Sequence, residues 1–289
     1  MKPFDRLALA AIIVIWAIHF TIGKVALAQL PPLFLTAVRL SLVVAELAPF
    51  LWRPHPPMKR LVPLAICLGI LHYALLFCGL KGLDAGPAAI TSQLVVPFSV
   101  ILAALVFRER FTISGALGVV LAFAGVWLLA GAPRVAPNLG SLFLVGAASL
   151  AFAAASIQLK HLGPFDVFVL NAWVAVISAP ALFTISFMIE DGQIAAAQAA
   201  DWRAWASVGF SAVFASIISW GMWYHLLVRY EVSRIIPMTM LVPVLAVVFA
   251  VLLRGEPLTV EIVGGGLITL FGVALTHLYG TKAGWDRTA

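Results

Sequence analysis

Charged side chains are scarce in this chain of 289 residues. Asp, Glu, Lys and Arg together make up 10% of it, whereas apolar and aromatic residue types, with Cys, make up 63%. A water-soluble domain of this length needs a far more polar surface, so the composition excludes one. Unbroken apolar runs of about 20 residues also exclude an outer-membrane barrel, because barrel strands alternate apolar and polar positions. The sequence therefore predicts an all-α integral membrane protein.

Cysteine and catalytic motifs are equally sparse. The two cysteines, Cys67 and Cys78, lie about three helical turns apart in one apolar run, which is too far for a disulfide. The chain contains no H-E-x-x-H, no G-x-S-x-G and no paired Asp. We therefore predict no catalytic residue, no metal site and no cofactor, and we do not expect an enzyme.

The net positive charge of the chain has two interpretations. A formal charge of +6 would suggest nucleic acid in a polar protein, but in so apolar a chain it is typical of loops that face the cytoplasm. We expect the lipid bilayer and a small molecule as partners, and no nucleic acid. When the N-terminus is placed inside, most Lys and Arg residues fall on the cytoplasmic side. This asymmetry predicts that both termini are cytoplasmic.

Apolar runs long enough to span a bilayer occur ten times. They cover residues 7–28, 32–51, 61–80, 87–107, 113–130, 140–159, 165–189, 205–227, 233–253 and 260–278. A nine-span arrangement stays open if one run is re-entrant, and so does cleavage after a signal-like first segment, although that run is long for a signal peptide. The link from 190 to 201 is rich in Ala and Gln, and it predicts a short surface helix.

One pattern occurs in both halves of the chain. Its members are Pro97, Glu109, Thr112, Gly118 and Gly125 in the first half, and Pro243, Glu256, Thr259, Gly265 and Gly272 in the second. The prolines are 146 residues apart and the other pairs are 147 apart. A unit of five spans that is duplicated must insert in the opposite direction the second time. The pattern thus predicts two inverted five-helix halves, 1–132 and 138–280, as in transporters with a central binding cavity.

The repeated residues predict different roles. Pro97 and Pro243 lie within spans, where each bends its helix either as a hinge for gating or for packing alone. The threonines are placed to cap the following helices, and the glutamates fit loops or caps. The glycines let the fifth and tenth spans pack closely as a scaffold away from the substrate.

Polar or aromatic residues inside apolar runs are the candidate substrate-cavity residues, because placing polar groups against lipid is unfavourable. They are Trp16, His19, His72, Tyr73, Thr91, Ser92, Gln93, Ser156, Asn171, Trp173, Trp223, Met238 and Thr239. Each has a structural alternative, since hydroxyls often bond back to their own helix and Trp often lies at the membrane interface. Together they would suit a zwitterion with an apolar side chain.

Arg39 is the one strong base deep inside a span. Its side chain could bind a substrate carboxylate, form a structural ion pair or extend to the membrane interface. Lys24, near the end of a span, is expected to extend to the interface. No acidic residue is predicted near the midplane, which disfavours a carboxylate-based proton antiporter. His19 and His72 could carry protons instead, so the coupling stays open.

Several sequence features together resemble those of a known family. They are Trp16 with Gly23 and Lys24, the pair Pro31 and Pro32 before Arg39, and the repeated pattern of both halves. The chain resembles the ten-helix EamA-type members of the drug/metabolite transporter superfamily, and it is similar to their bacterial exporters of amino acids, including aromatic ones. The resemblance implies an inner-membrane exporter that works by alternating access, and we expect a monomer. Export of other metabolites or drug-like amphiphiles, or a channel, is the alternative.

Overall fold

All regular structure is helical in the residues that the computed structural model describes, which are 2–107, 112–162, 165–230 and 238–279. The helices are α1 (Pro3–Leu27), α2 (Pro32–Glu46), α3 (Met58–Gly82), α4 (Ala85–Phe107), α5 (Ile113–Ala130), α6 (Leu139–Leu162), α7 (Val167–Ile189), α8 (Gln193–Ala199), α9 (residues 202–229), α10 (Leu241–Arg254) and α11 (Val260–Tyr279).

Within those described residues, eight helices are long and apolar enough to cross a membrane: α1, α3, α4, α5, α6, α7, α9 and α11. α10 is a shorter apolar helix, and α2 has 15 residues followed by the 3₁₀ turn Ala48–Trp52. The eight spans confirm an integral membrane protein, whereas crossing by α2 and α10 stays a prediction. The short helix expected in the link from 190 to 201 is confirmed as α8.

Helix directions follow from the contacts between helix ends. α1 and α3 end, and α4 begins, at the same end of the bundle, which we call the distal face. α6 begins at the distal face, because Ser141 lies against Gly79 and Gly82 at the end of α3. α6 therefore runs in the opposite direction to α1.

Lys24 shows how polar groups near a helix end are satisfied. Its ammonium donates to the carbonyl oxygens of Leu80 (3.0 Å), Lys81 (3.2 Å) and Leu83 (2.7 Å) at the end of α3. A cation at a helix C-terminus pairs with the carbonyls that the helix leaves free. The Lys24 side chain thus extends to the end of the neighbouring helix, and its extension to the membrane interface stays a prediction.

The expected close packing of the fifth and tenth spans is confirmed between α5 and α11. A Cβ atom built on Gly125 would lie 2.6 Å from the carbonyl oxygen of Gly265, and one on Gly272 would lie 2.6 Å from that of Gly118. These distances leave no room for a side chain, so the two backbones touch directly. The hydroxyl of Thr269, beside Gly125, turns back to the carbonyl of Gly265 at 2.8 Å.

The capping prediction is confirmed for both threonines. Thr112 Oγ1 accepts from the backbone N–H of Gly115 at 2.9 Å, and Thr259 Oγ1 accepts from that of Ile262 at 3.4 Å. Glu109 lies outside the described residues. Its counterpart Glu256 is 7% exposed and accepts hydrogen bonds from two backbone N–H groups at the start of α4, in the other half of the chain.

Two helices are interrupted at equivalent places. α4 has a turn at Gln93 and Leu94, where the carbonyl of Gln93 accepts from Val96 N (3.1 Å) because Pro97 has no N–H to offer it. Helical residues 238 and 239 likewise precede a turn at Met240, three residues before Pro243. The two interruptions agree with the predicted bends, and they lie just before each proline.

A second matched pair of irregularities was not predicted. α3 contains a π-helical segment at Ala65–His72, and α9 contains one at Ser211–Ile218. Their starts are 146 residues apart, which is the offset of the two prolines. Such segments leave backbone groups unpaired and often occur at functional sites, but they have no strong sequence signature.

The glycine contact between α5 and α11 leads to a stability prediction. Gly125→Ala should lower the free energy of unfolding by about 1–3 kcal/mol, because the added methyl group forces two backbones apart. Thermal unfolding of the purified protein in detergent, followed by tryptophan fluorescence, measures this.

Gly209→Ala in α9 is the matched control, since a Cβ there meets nothing within 4 Å. It should leave the unfolding temperature unchanged or raise it slightly, because Ala favours a helix over Gly. Equal unfolding temperatures for the two variants would contradict the close contact.

Candidate substrate cavity

A cavity of about 390 Å³ lies between the first and second halves of the chain. This volume falls within the range of roughly 300–1,000 Å³ that is typical of ligand sites. Its described lining comes from α1, α2, α3, α4, α6, α9, the segment leading into α10 and α10 itself, and no described residue of α5 or α11 belongs to it. The lining consists of Trp16, His19, Phe20, Arg39, His72, Tyr73, Leu76, Gln93, Val95, Val96, Phe152, Ala215, Trp220, Trp223, Thr239 and Val242.

Seven of the thirteen predicted cavity residues lie in this lining: Trp16, His19, His72, Tyr73, Gln93, Trp223 and Thr239. Ser156 and Asn171 border a smaller cavity of about 50 Å³. The two cavities share Tyr73, Phe152 and Trp220 as walls. The structure thus brings nine of the predicted residues around two adjoining spaces.

The other four predicted residues lie away from this lining, each for a local reason. Thr91 is fully buried and donates back to the carbonyl of Pro87 (2.8 Å), and Ser92 donates to that of Ala89 (2.7 Å). Trp173 packs on the ring of His55 in the loop after α2, with ring centroids 4.3 Å apart. Met238 is 44% exposed. Helix rotation, which the sequence does not reveal, decides these placements.

Aromatic rings form one continuous wall of the cavity. The ring of Trp16 lies 5.8 Å from that of Trp220 and 5.5 Å from that of Trp223, measured between centroids. Trp16 Nε1 also donates to Ser219 Oγ at 2.9 Å, which holds the indole in place. Phe152 continues the wall, 6.3 Å from Trp220. The wall joins α1 of the first half to α6 and α9 of the second.

Histidines add polar groups to the cavity. His72 Nδ1 lies 2.9 Å from the carbonyl oxygen of Ala148, and since a carbonyl only accepts, Nδ1 carries the proton. In the neutral ring, Nε2 is then the acceptor. His19 Nε2 is buried and has no hydrogen-bond partner among the described residues.

Two polar side chains occupy equivalent positions at the helix interruptions. Gln93 lies in the turn of α4 and Thr239 lies immediately before the turn that leads into α10, and the two are 146 residues apart. Both line the cavity. Each half therefore presents one hydrogen-bonding side chain to the cavity, at the interruption before its proline.

Arg39 is the main residue whose position the sequence left open. Its guanidinium lies in the cavity lining and is 2% exposed, with its centre 4.4 Å from the Tyr73 ring centroid. Nη2 donates to Ser216 Oγ at 2.6 Å, and Nε donates to the carbonyl of Ser211 at 3.4 Å. In the described part of the chain, no carboxylate lies within 4 Å of it. Among the described residues Arg39 therefore forms no ion pair, and its buried side chain lines the cavity instead of extending to the surface of the bundle.

Sequence reasoning missed the purely apolar part of the lining. Phe20, Leu76 and Phe152 look like any other core residues in sequence, because nothing distinguishes an apolar residue at a cavity from one in a packed core. Trp220 carried a signal, since it lies three residues before Trp223 and so shares its helix face. Among the residues described, no group of three or more His, Cys, Asp or Glu is placed to hold a metal ion.

Two carboxylates of the second half hold helix N-termini of the first half at the distal face. Glu190 accepts from the backbone N–H groups of Leu33 (2.9 Å) and Phe34 (3.0 Å) at the start of α2. Glu256 accepts from those of Ala85 (2.8 Å) and Gly86 (3.2 Å) at the start of α4. We call these two contacts the distal clamps. Each places a negative charge at the positive end of a helix dipole.

Comparison with known proteins agrees with this architecture. The model of the EamA-like transporter family matches residues 6–131 and 139–278. The chain is 31% identical to a protein of Salmonella typhimurium described as a probable amino-acid metabolite efflux pump, over 100% of this chain and 99% of that protein. A protein of Escherichia coli with the same description is 30% identical, with 94% and 97% covered.

A solved crystal structure shares the fold. It aligns with a TM-score of 0.62 at 16% identity and covers 97% of this chain and 98% of the other. The apolar helices and the likeness to bacterial efflux pumps show a multi-pass transporter of the inner membrane. By its two matched stretches and by its full-length relatives, the chain belongs to the EamA-like transporter family.

Proposed function

We propose that this protein exports amino acids and closely related metabolites, and that it does so by alternating access of the cavity between its two halves. The cavity itself carries the proposal: it has aromatic walls, a few hydrogen-bonding side chains, and lining residues from both halves. The description of its relatives as probable amino-acid metabolite efflux pumps supports the substrate class.

The two halves, 1–132 and 138–280, act in this proposal as inverted repeats. Support comes from the interruptions before Pro97 and Pro243 and from the π-helical segments, which recur at one offset. The opposite directions of α1 and α6 support it as well. Inverted halves allow the two to exchange conformations and expose one site to each side in turn.

The distal clamps are the contacts that such a movement must break. Each joins a carboxylate of one half to a helix N-terminus of the other, so they favour the state that is closed at the distal face. Release of the clamps would open the cavity to that face, and the interruptions before the two prolines are the deformable points.

Transport in proteoliposomes tests the proposed function. Radiolabelled amino acids with apolar or aromatic side chains should show counterflow with the parent protein. Gln93→Ala should reduce the flux by roughly three- to tenfold, because the substrate loses one hydrogen bond. The measurement is the initial rate at substrate concentrations below saturation.

Gln158→Ala is the matched control for that variant. Gln158 lies in α6 outside both cavity linings and donates to Cys67 Sγ at 3.1 Å, so its loss should leave the flux near that of the parent. An absence of flux for every amino acid would overturn the proposed substrate class and favour other metabolites of the same superfamily.

The clamps lead to a conformational prediction. Glu256→Gln removes the charge that holds the start of α4, and it should raise the ratio of distally open to closed molecules about tenfold, since a hydrogen bond to a charged group contributes about 1.5–3 kcal/mol. Spin labels at Lys81→Cys and Arg203→Cys, both exposed at the distal face, would report the distance between the halves. Cys67 and Cys78 are replaced by Ser for this measurement.

Glu261→Gln provides the control, because Glu261 also lies in the first turn of a helix at the distal face but belongs to neither clamp. Its distance distribution should match that of the parent. A longer-distance population that grows equally in both variants would show that loss of charge, rather than loss of the clamp, opens the protein.

A further inference from the structure

We propose that Arg39 binds the carboxylate of the transported molecule, so that the cavity selects compounds with one carboxylate attached to an apolar or aromatic body. The inference rests on the proposed transport function and specifies the substrate chemistry of the same cavity.

The guanidinium of Arg39 has an unused donor group. Nη2 and Nε are bound to Ser216 and Ser211, as described above, whereas Nη1 is buried and has no hydrogen-bond partner among the described residues. Buried polar groups almost always have a partner, and a buried cation without a counter-ion is strongly unfavourable. Within a membrane bundle, such a residue is a functional site by default.

The pseudo-symmetry of the bundle shows that a purely structural role would not require an arginine. The carbonyl at the start of the π-helical segment in α9, that of Ser211, accepts from Arg39 of α2. The equivalent carbonyl in α3, that of Ala65, accepts from the hydroxyl of Ser178 in α7 at 3.2 Å. The Ser211 carbonyl also accepts from Ser216 Oγ at 2.9 Å, so a serine hydroxyl satisfies the equivalent carbonyl in both halves. The positive charge and the additional N–H groups of Arg39 go beyond that need.

The charges around the cavity favour an anion. The lining contains Arg39 and no Asp or Glu among the residues described. In a water-poor cavity a charge acts more strongly than in bulk water, so a carboxylate gains from Arg39 and an amine without a carboxylate is repelled. The planar guanidinium also matches the two oxygens of a carboxylate.

Aromatic rings beside Arg39 define the rest of the substrate. The guanidinium lies over Tyr73, and the next ring, His72, is 5.0 Å from Tyr73 between centroids. Phe152 follows at 4.9 Å from His72, and the wall continues to Trp220. A molecule whose carboxylate lies at Arg39 therefore places its body along apolar and aromatic surface. A second carboxylate or a phosphate on that body would have no further Lys or Arg in the described lining to pair with.

Binding to the parent protein tests this inference without any mutation. The purified full-length protein is titrated with 3-phenylpropionate and with 3-phenylpropionamide, which differ only in the carboxylate, and with phenethylamine. Quenching of tryptophan fluorescence reports binding, since Trp16, Trp220 and Trp223 line the cavity. We expect the carboxylate to bind at least about tenfold more tightly than the amide and the amine, because a charge-assisted bidentate contact is lost.

Substitutions assign the preference to Arg39. Arg39→Gln should abolish the difference between acid and amide, and Arg39→Lys should keep part of it, because a point charge replaces the planar fork. Arg53→Gln is the control: Arg53 is an exposed cation that pairs with Asp166 at 3.0 Å, and its loss should not alter the preference. Thermal unfolding shows whether each variant is folded.

The outcomes separate this inference from the proposed function. Equal affinities for acid and amide in the parent, no binding of any of the three compounds, or a preference that persists in a folded Arg39→Gln variant would overturn the role of Arg39. Amino-acid flux in proteoliposomes together with one of those results would leave the transport proposal in place. A carboxylate preference without flux of any amino acid would instead support the site and overturn amino-acid export.

Discussion

Lipid provides no hydrogen-bond partner, so every polar group in the apolar part of this bundle must find one within the protein. Within the helices, most backbone N–H and C=O groups form hydrogen bonds with each other, but some of those at helix ends and interruptions do not. These free groups are paired across helices instead: Glu190 and Glu256 bind helix N-termini of the other half, and Lys24 binds the carbonyls at the end of α3. The two glutamate contacts join the halves, and the Lys24 contact joins two helices of the first half.

The same constraint separates scaffold from cavity. Where α5 meets α11, glycine backbones touch, and the threonine hydroxyls turn back to their own helix, so no polar group is left over. In the cavity, by contrast, His19 Nε2 and Arg39 Nη1 are buried with no hydrogen-bond partner in the described residues. These two unsatisfied groups lie in the space that both halves line, where a substrate could satisfy them.

The π-helical segments connect fold and site. They begin at Ala65 and Ser211, at equivalent points of the two halves, and a side chain of a neighbouring helix donates to the carbonyl of each of these residues. In one half the donor is the hydroxyl of Ser178, and in the other both the hydroxyl of Ser216 and the guanidinium of Arg39 donate. The duplicated geometry is thus met by different chemistry in the two halves, and that difference places a cation in the cavity.

The sequence by itself determined the class of protein, its main spans and the offset between its halves, because length and apolar composition suffice to identify a membrane helix. It also indicated Gln93 and Thr239, since a polar residue beside a mid-span proline is rarely placed against lipid. Only the tertiary structure decided which polar residues line the cavity. Thr91 and Gln93 are two residues apart in one span, yet the first bonds to its own helix and the second lines the cavity. The sequence does not encode helix rotation locally; it results from the packing of all the helices together.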